Sequence, residues 1–348
     1  MALTSMFERV ASALFGGGAP AADQAADAQL VSDLIEVIVE AVEPRIRVQS
    51  RYRQKLDGCV RRSIAHLRTM ATVLPEPLLL TRAAWSSDPR VNAFFAVPDD
   101  VPQSLGRSRE LRAFFADPAN REVQEAHALL AMRKVERTVY APQLQGETVR
   151  HDVAQITVSF SDHHLIAPGA TLVASRVEVG RRILQRLAQV ALSNIIALDM
   201  KAGEREQRKA YLGARLRMLN LARDGMEGLV SDPATIAAQI DEVEHELKTT
   251  VEGYIETRAS LATLDAYIHH VEDVFSHPGQ HLALASTPLK VNRMGIKVAD
   301  DSGGPVNDLT LAELSIGGDF LIVIAVVRCP RSEMPPEESR LAHGERYL

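Results

Sequence analysis

The chain has 348 residues, of which 46% are hydrophobic and 24% charged, and its formal net charge is −6. These values are ordinary for a soluble globular protein, and the negative charge argues against general polyanion binding by the whole molecule. Cys59 and Cys329 are far apart and neither belongs to a CxxC pair, which excludes a disulfide framework and a zinc knuckle and fits a reducing compartment. The basic residues are mostly arginine, 32 against 7 lysines, a bias typical of GC-rich bacteria.

The first segment, 1–27, is predicted to be a short amphipathic helix followed by a flexible linker. Its apolar side chains share one helical arc and could bind the groove of a protein partner, dock on the chain's own body or lie on a lipid surface. These residues are Leu3, Met6, Phe7, Val10 and Leu14. The segment lacks the basic start of a signal peptide, and no run of about twenty apolar residues occurs, so we expect a cytoplasmic protein without a membrane span.

A helical body is predicted over 28–140, beginning with one long helix over 28–74 that bends near Pro44. The second half of this helix, 45–68, carries a basic face. The basic residues are Arg47, Arg51, Lys55, Arg61, Arg62 and Arg68. Such a face could bind nucleic acid or a membrane surface. The pattern favours instead a face that pairs with the acidic segment 241–256 of the same chain.

The rest of the helical body is loop-rich, because six prolines interrupt 75–120. Two Phe-Phe pairs in this segment are predicted to attach it to the core, and a further helix is predicted over 119–138. Alternation of apolar and polar residues then predicts a strand near 148–166. Further strands are predicted near 286–330, ending in the apolar run 320–329, which should be a central strand covered on both faces.

A long antiparallel coiled-coil hairpin is predicted over 173–283. Apolar residues recur without a break, in steps of three and four, from Ile236 to Phe275. The facing seam is assigned to Leu184, Leu187, Val190, Ile195, Leu198, Leu212, Leu216 and Leu219. The turn is expected near Gly228–Pro233. A small sheet is predicted from 141–172 and 284–331, and the hairpin would leave this sheet and return to it at the same place. The remaining residues, 332–348, are predicted to form a disordered tail.

Three histidines, two aspartates and two serines crowd the segment 151–164, which raises the question of a catalytic site. Asp162 and His164 are two residues apart and would face the same side of a strand, but a catalytic zinc needs about three protein ligands. A third could come only from a distant histidine of 269–281. We therefore expect no bound metal and no cofactor, and expect Ser161 or Asp162 to satisfy backbone groups at a strand end.

The sequence predicts an α+β, predominantly helical fold with a helical body, a small sheet and the inserted hairpin. It favours a non-enzymatic scaffold or assembly protein that contacts protein partners, or a second copy of itself, through the hairpin and the N-terminal helix. A metal-dependent hydrolase using Asp162, His163 and His164 is the alternative. Nucleic-acid or membrane-surface binding by 45–68 is a further alternative, which the net charge disfavours.

Overall fold

The computed structural model describes residues 22–145, 148–224, 233–298, 306–317 and 320–336. The fold is α+β and predominantly helical, with a long helical hairpin inserted between two segments of one sheet, as the sequence predicts. The predicted N-terminal helix, the predicted hairpin turn up to residue 232 and residues 337–348 of the predicted tail lie outside the described residues. The end of the predicted linker, 22–27, is instead helical, and the start of the predicted tail, 332–336, is ordered, with Met334 packed against the core.

The helices form two groups along the chain, one before the insertion and one within it. The helices before the insertion are α1 (Ala22–Val42), α2 (Tyr52–Val73), α3 (Ala84–Ser87), α4 (Pro89–Phe94), α5 (Asp100–Arg107) and α6 (Arg109–Ala116). Those of the insertion are α7 (Leu172–Asp224), α8 (Pro233–Ala259), α9 (Leu264–Ser276) and α10 (Pro278–His281). Short 3-10 helices cover Pro44–Val48, Pro118–Asn120 and Arg331–Glu333. The strands are β1 (Leu78–Leu79), β2 (Glu125–Gln145), β3 (Thr148–Gly169), β4 (Leu282–Asn292), β5 (Val306–Ile316) and β6 (Phe320–Pro330).

The described chain divides into two compact units, each assembled from separate segments. The first contains the sheet and takes the described residues up to 34, those of 61–186 and those from 277 onward. The second is helical and takes 35–60 and 187–276. It therefore contains most of the hairpin together with the turn between α1 and α2.

The sheet has the order β3-β2-β6-β5-β4, and these five strands are antiparallel. The short β1 pairs in parallel with β6 at Val327 and Arg328. The side chains of β6 are buried without interruption from Val323 to Val327, so both faces of this strand are covered. The predicted central strand is therefore confirmed. Its sequence is a continuous apolar run because both of its faces are buried.

One face of the sheet forms the main core of the first unit with the short helices α3 to α6. Both predicted Phe-Phe pairs lie here: Phe94 and Phe95 are buried, and Phe114 and Phe115 pack against the cluster at its margin. On the other face, side chains of α2 and α7 meet the sheet around an apolar cavity of about 60 Å³. Its lining includes Leu67, Met70, Val179, Ile183, Ile324 and Val326.

The insertion does not leave and return at one place. Gly169 ends β3 and lies, across β2, level with Arg328 near the end of β6. Leu282 begins β4 and lies, across β5, level with Phe320 at the start of β6. The connection therefore spans the sheet from one end of its central strand to the other, which an insertion between the two edge strands of an antiparallel sheet of this order requires.

Three predicted helical segments differ from the structure. Most of the helix predicted over 119–138 is instead strand β2, held between β3 and β6. The helix predicted over 28–74 is two helices joined by the 3-10 helix Pro44–Val48, in which Pro44 lies at the first turn and Glu43 caps the start. The second arm of the hairpin is interrupted at 260–263, between α8 and α9, and is not one continuous helix.

Candidate protein-interaction site

The histidine-rich segment lies inside β3 and not at a strand end. The register between β2 and β3 shifts three times, and at each shift β3 contributes one residue more than β2. These β-bulges contain the positive-φ residues Asp152, Asp162 and Ala167. A residue in the left-handed region is characteristic of one common bulge type, and aspartate tolerates this region better than most residues do. The Asp-His pairs of the sequence are therefore explained by the shape of the strand.

The bulge at Asp162 breaks the regular strand geometry within the segment of the three candidate catalytic residues. It interrupts the alternation that would have placed Asp162 and His164 side by side, and both residues are exposed. His163 is half-buried, stacks on Phe95 with ring centroids 4.6 Å apart, and its Nε2 lies 2.8 Å from the carbonyl oxygen of Phe94. Its role in this arrangement is to fix α4 to β3. Within the described part of the chain, no group of three or more histidine, cysteine or acidic side chains is placed to hold a metal ion.

The basic face is partly neutralised inside the protein, but not by the predicted partners. Arg47 donates to Glu36 and Glu40 of α1, at 3.0 and 2.6 Å. Lys55 pairs with Asp265 of α9. The predicted pairing with 241–256 is therefore wrong for these two residues, which pair within the chain but with acids of α1 and α9.

The other four residues of the basic face differ in how exposed their side chains are. Arg51 is exposed and has a φ of 60° at the start of α2, where the chain leaves the turn. Arg61 and Arg62 are exposed, and Arg68 is half-buried. The other side of α2 is apolar and buried, and it consists of Leu56, Cys59, Val60, Ile64 and Leu67.

The five candidate partner-binding residues of the N-terminal helix, Leu3, Met6, Phe7, Val10 and Leu14, lie outside the described residues. The hairpin is described over nearly all of its length. None of the described helices combines the length and the apolar content that crossing a bilayer requires.

Side-chain contacts within the second unit show that α7 and α8 run antiparallel. Residue numbers along α8 fall, on the whole, as those along α7 rise. The contacts are Asp199 with Arg258, Arg205 with Thr257, Arg208 with Glu246, and Lys209 with the ring of Tyr254. The guanidinium of Arg205 also donates to the backbone oxygen of Gly253. Even the polar stretch 201–209 is thus joined to the second arm by hydrogen bonds and ion pairs.

The inner side of α7 is buried, as the predicted seam requires. In the second unit its buried residues are Leu187, Ala188, Ala191, Ile195, Ala202 and Leu212. From the other arm, Ile236, Ile240, Val243 and Thr257 are buried. Leu187, Ile195 and Leu212 of the assigned seam are therefore buried in this unit, and alanines complete the buried arc. Val190, Leu198, Leu216 and Leu219 of the assigned seam are only partly buried.

A second apolar arc of α7 is exposed. Five large apolar residues on it have exposed fractions between 50% and 74%: Ile196, Met200, Tyr211, Met218 and Leu221. At about 100° per residue they fall within an arc of about 80°, largely opposite the buried seam. From Ile196 to Leu221 the stripe is about 38 Å long at 1.5 Å per residue. We call these five residues the α7 stripe.

Sequence reasoning missed the α7 stripe, although the signal was present. Neighbouring residues of the stripe are separated in the sequence by three or four positions or by sums of these steps, as are the residues of the buried seam. Only the packing tells which of two apolar arcs the second arm covers. Comparisons of the chain with protein-family models, with curated proteins and with solved structures find no match.

Proposed function

We propose that this protein is a non-enzymatic assembly protein, or scaffold, that binds a protein partner through the α7 stripe of its coiled-coil hairpin. The observation that carries the proposal is the periodic exposure of five large apolar side chains along one arc of one helix. A partner helix or groove would bury these residues in the way that amphipathic helices are usually recognised.

The arrangement of the stripe matters more than its composition. Single exposed apolar residues are normal on protein surfaces and need no explanation. Here Met200, Met218 and Leu221 are each more than 60% exposed and share one helical face. On this face Gly203, Gln207 and Ala214 occupy the remaining positions of a coiled-coil spacing. Burying apolar surface yields about 25 cal/mol per Å², so a stripe of this kind favours association.

The alternatives have less support. A hydrolase built on Asp162, His163 and His164 would need the His163 ring, which is engaged by Phe94 and Phe95. Binding of nucleic acid by 45–68 would compete with the ion pairs of Arg47 and Lys55. Both cysteines are buried free thiols, which supports a reducing compartment, and we propose a cytoplasmic, bacterial setting.

The test is site-specific photo-crosslinking of the full chain inside the cell. A photoreactive residue at Met218 should form discrete protein adducts, and these should be lost when Ile196→Glu and Leu221→Glu are added. The matched control is Ile255 on α8, which is 60% exposed but lies outside the stripe and should form none of these adducts. Equal adducts from both positions, or none from Met218, would contradict the proposal.

A further inference from the structure

We infer that the partner of the α7 stripe is a second copy of this chain, bound with its α7 antiparallel to the first. The inference rests on the proposed function and names the partner that it leaves open. The two copies would be related by a twofold axis that crosses α7 between Arg208 and Lys209. Isologous contacts of this kind are the commonest form of protein assembly.

The apolar residues of the stripe are self-complementary under this operation. Residues at similar distances on either side of the axis face each other in the two copies. The facing pairs are Ile196 with Leu221, Met200 with Met218, and Gln207 with Tyr211. Four of these residues are large and apolar, and the polar amide of Gln207 meets the amphipathic ring of Tyr211, so no charge is buried along the centre of the contact.

The charges beside the stripe provide an independent observation. In an antiparallel helix pair, each flank of one helix meets the same flank of the other. On one flank the axis brings Glu204 opposite Arg215, and on the other flank it brings Asp199 opposite Arg217. Twofold symmetry makes each pair occur twice, so four ion pairs of opposite sign would border the apolar centre.

These charges are available for such contacts. Glu204, Arg215 and Arg217 make no ion pair with any residue in the described ranges. Asp199 is largely exposed and reaches Arg258 only at 3.5 Å. Three of the four charged side chains that flank the stripe are therefore not held by an ion pair within the described residues, and Asp199 would exchange its exposed pair with Arg258 for the new contact.

A parallel arrangement of the same two helices is disfavoured by the same residues. In a parallel, in-register pair, opposite flanks meet at similar heights. Glu204 would then lie near Asp199 and Glu206 of the other copy, and Arg215 would lie near Arg217. Like charges at such positions destabilise a helix pair, so the charge pattern selects the antiparallel orientation.

The first experiment measures self-association by sedimentation velocity on the full chain over a wide concentration range. We expect a reversible dimer. Glu204→Arg alone and Arg215→Glu alone should each weaken the dimer by about tenfold, which corresponds to about 1.4 kcal/mol. The charge-swapped double variant, Glu204→Arg with Arg215→Glu, should restore it, because each pair again has opposite signs.

The control for these variants is Ile255→Glu, which adds a charge to an exposed position of α8 outside the stripe and should leave the dimer unchanged. Circular dichroism checks that every variant keeps its helical content. Failure of the double variant to restore the dimer would overturn the register. A chain that is monomeric at every concentration would overturn self-association, whereas adducts from Met218 to another protein would still support the proposed function.

The second experiment tests orientation with engineered thiols. In the antiparallel pair, the two copies of Met200 lie about 27 Å apart, but Met200 of one copy faces Met218 of the other. A short bismaleimide should therefore join a Met200→Cys chain to a Met218→Cys chain only when the two are mixed. Crosslinks within Met200→Cys alone would indicate a parallel pair and overturn the inference. The native thiols are buried and should not react.

Discussion

At the level of single residues, the protonation of His163 is set by where the bulge in β3 places its ring. Burial lowers the pKa of His163, and the carbonyl of Phe94 and the carboxylates of Asp100 and Asp162 oppose this shift only in part. The folded protein therefore holds the ring neutral at neutral pH, with Nε2–H donating to the Phe94 oxygen.

This placement predicts a pH dependence of stability. The unfolded chain takes up a proton on this imidazole near pH 6.5, whereas the folded protein does so only at lower pH. The free energy of unfolding should therefore fall as the pH falls below 6.5, and this contribution should be constant above it. His163→Gln should reduce the slope and cost about 1–2 kcal/mol at neutral pH through the lost ring contacts.

Denaturant unfolding at a series of pH values measures both effects. His127, whose pKa burial also lowers, should retain its part of the slope in the variant. His269→Gln is the matched control for the lost ring contacts, because that side chain is 77% exposed, and it should cost less than about 0.5 kcal/mol at neutral pH. A His163→Gln profile as steep as that of the parent would show that His163 is not held neutral by the fold.

Glu36 predicts a second pH window. Burial raises the pKa of this carboxyl, but hydrogen bonds from Tyr52, Arg53 and Arg47 outweigh it and lower the pKa to about 2. Its contribution to stability is therefore present above about pH 4.5 and is lost as the pH falls toward 2. Glu36→Gln should cost about 1 kcal/mol at neutral pH, since the pairs are partly exposed. The difference from the parent, measured by urea unfolding, should disappear near pH 2.

At the level of elements, α7 carries two apolar arcs with different roles. The inner arc is buried in the hairpin, whereas each residue of the outer arc, the α7 stripe, is at least 50% exposed. Leu212→Ala should therefore cost about 2–5 kcal/mol of unfolding free energy, because Leu212 is fully buried. Met218→Ala, at a residue 71% exposed, should stay within about 0.5 kcal/mol.

The measurement is urea unfolding at low protein concentration, where association is absent. A large loss for Met218→Ala under these conditions would mean that the stripe packs within a single chain and is not a surface for a partner. Equal losses for the two variants would also remove the distinction between the arcs, and with it the support for the proposed function.

The strand β2 shows why one element could not be predicted from its residues. The inward-facing positions of its first half are Ala126, Ala128, Leu130 and Met132, which are good helix formers with little apolar contrast to their neighbours. Its pairing with β3 on one side and β6 on the other decides its conformation. β-propensity depends strongly on such context, so tertiary pairing overrides the local preference.

The break between α8 and α9 is indicated in part by the sequence. The apolar spacing continues through 260–263, and this continuity predicted one helix. Thr263 nevertheless accepts a hydrogen bond from the backbone of Ala266 and is followed by Asp265 in the first turn of α9. A threonine cap with an early acid is a helix start signal, so the capping residues, and not the periodicity, marked the boundary.

At the level of the whole molecule, the sequence predicts the fold class, the inserted hairpin and the central strand, because these depend on long, strongly patterned segments. It does not predict the α7 stripe as a surface. A sequence can show that a helix has two apolar arcs, but which arc is covered depends on the register of α8, which its side-chain contacts with α7 establish. The bulges of β3 could not be predicted for the same reason, because the extra residue in β3 is apparent only from its pairing with β2.

Self-association through the stripe would couple assembly to the stability of the whole chain. When the folded chain associates and the unfolded chain does not, raising the protein concentration stabilises the folded state by mass action. The Tm of the parent protein should therefore rise with concentration in scanning calorimetry. The variant Met200→Glu/Met218→Glu should show a constant Tm, because two charges on each copy would be buried at the contact without a partner.

The two curves should meet at the lowest concentration. Both substituted side chains are more than 60% exposed in one chain, so their replacement leaves the monomer nearly unchanged. A variant with a lower Tm at every concentration would indicate damage to the fold of the single chain. A parent Tm that does not depend on concentration would mean that no dimer forms near the unfolding transition. Convergence at low concentration and divergence at high concentration is the pattern that only a stripe serving assembly, and not folding, produces.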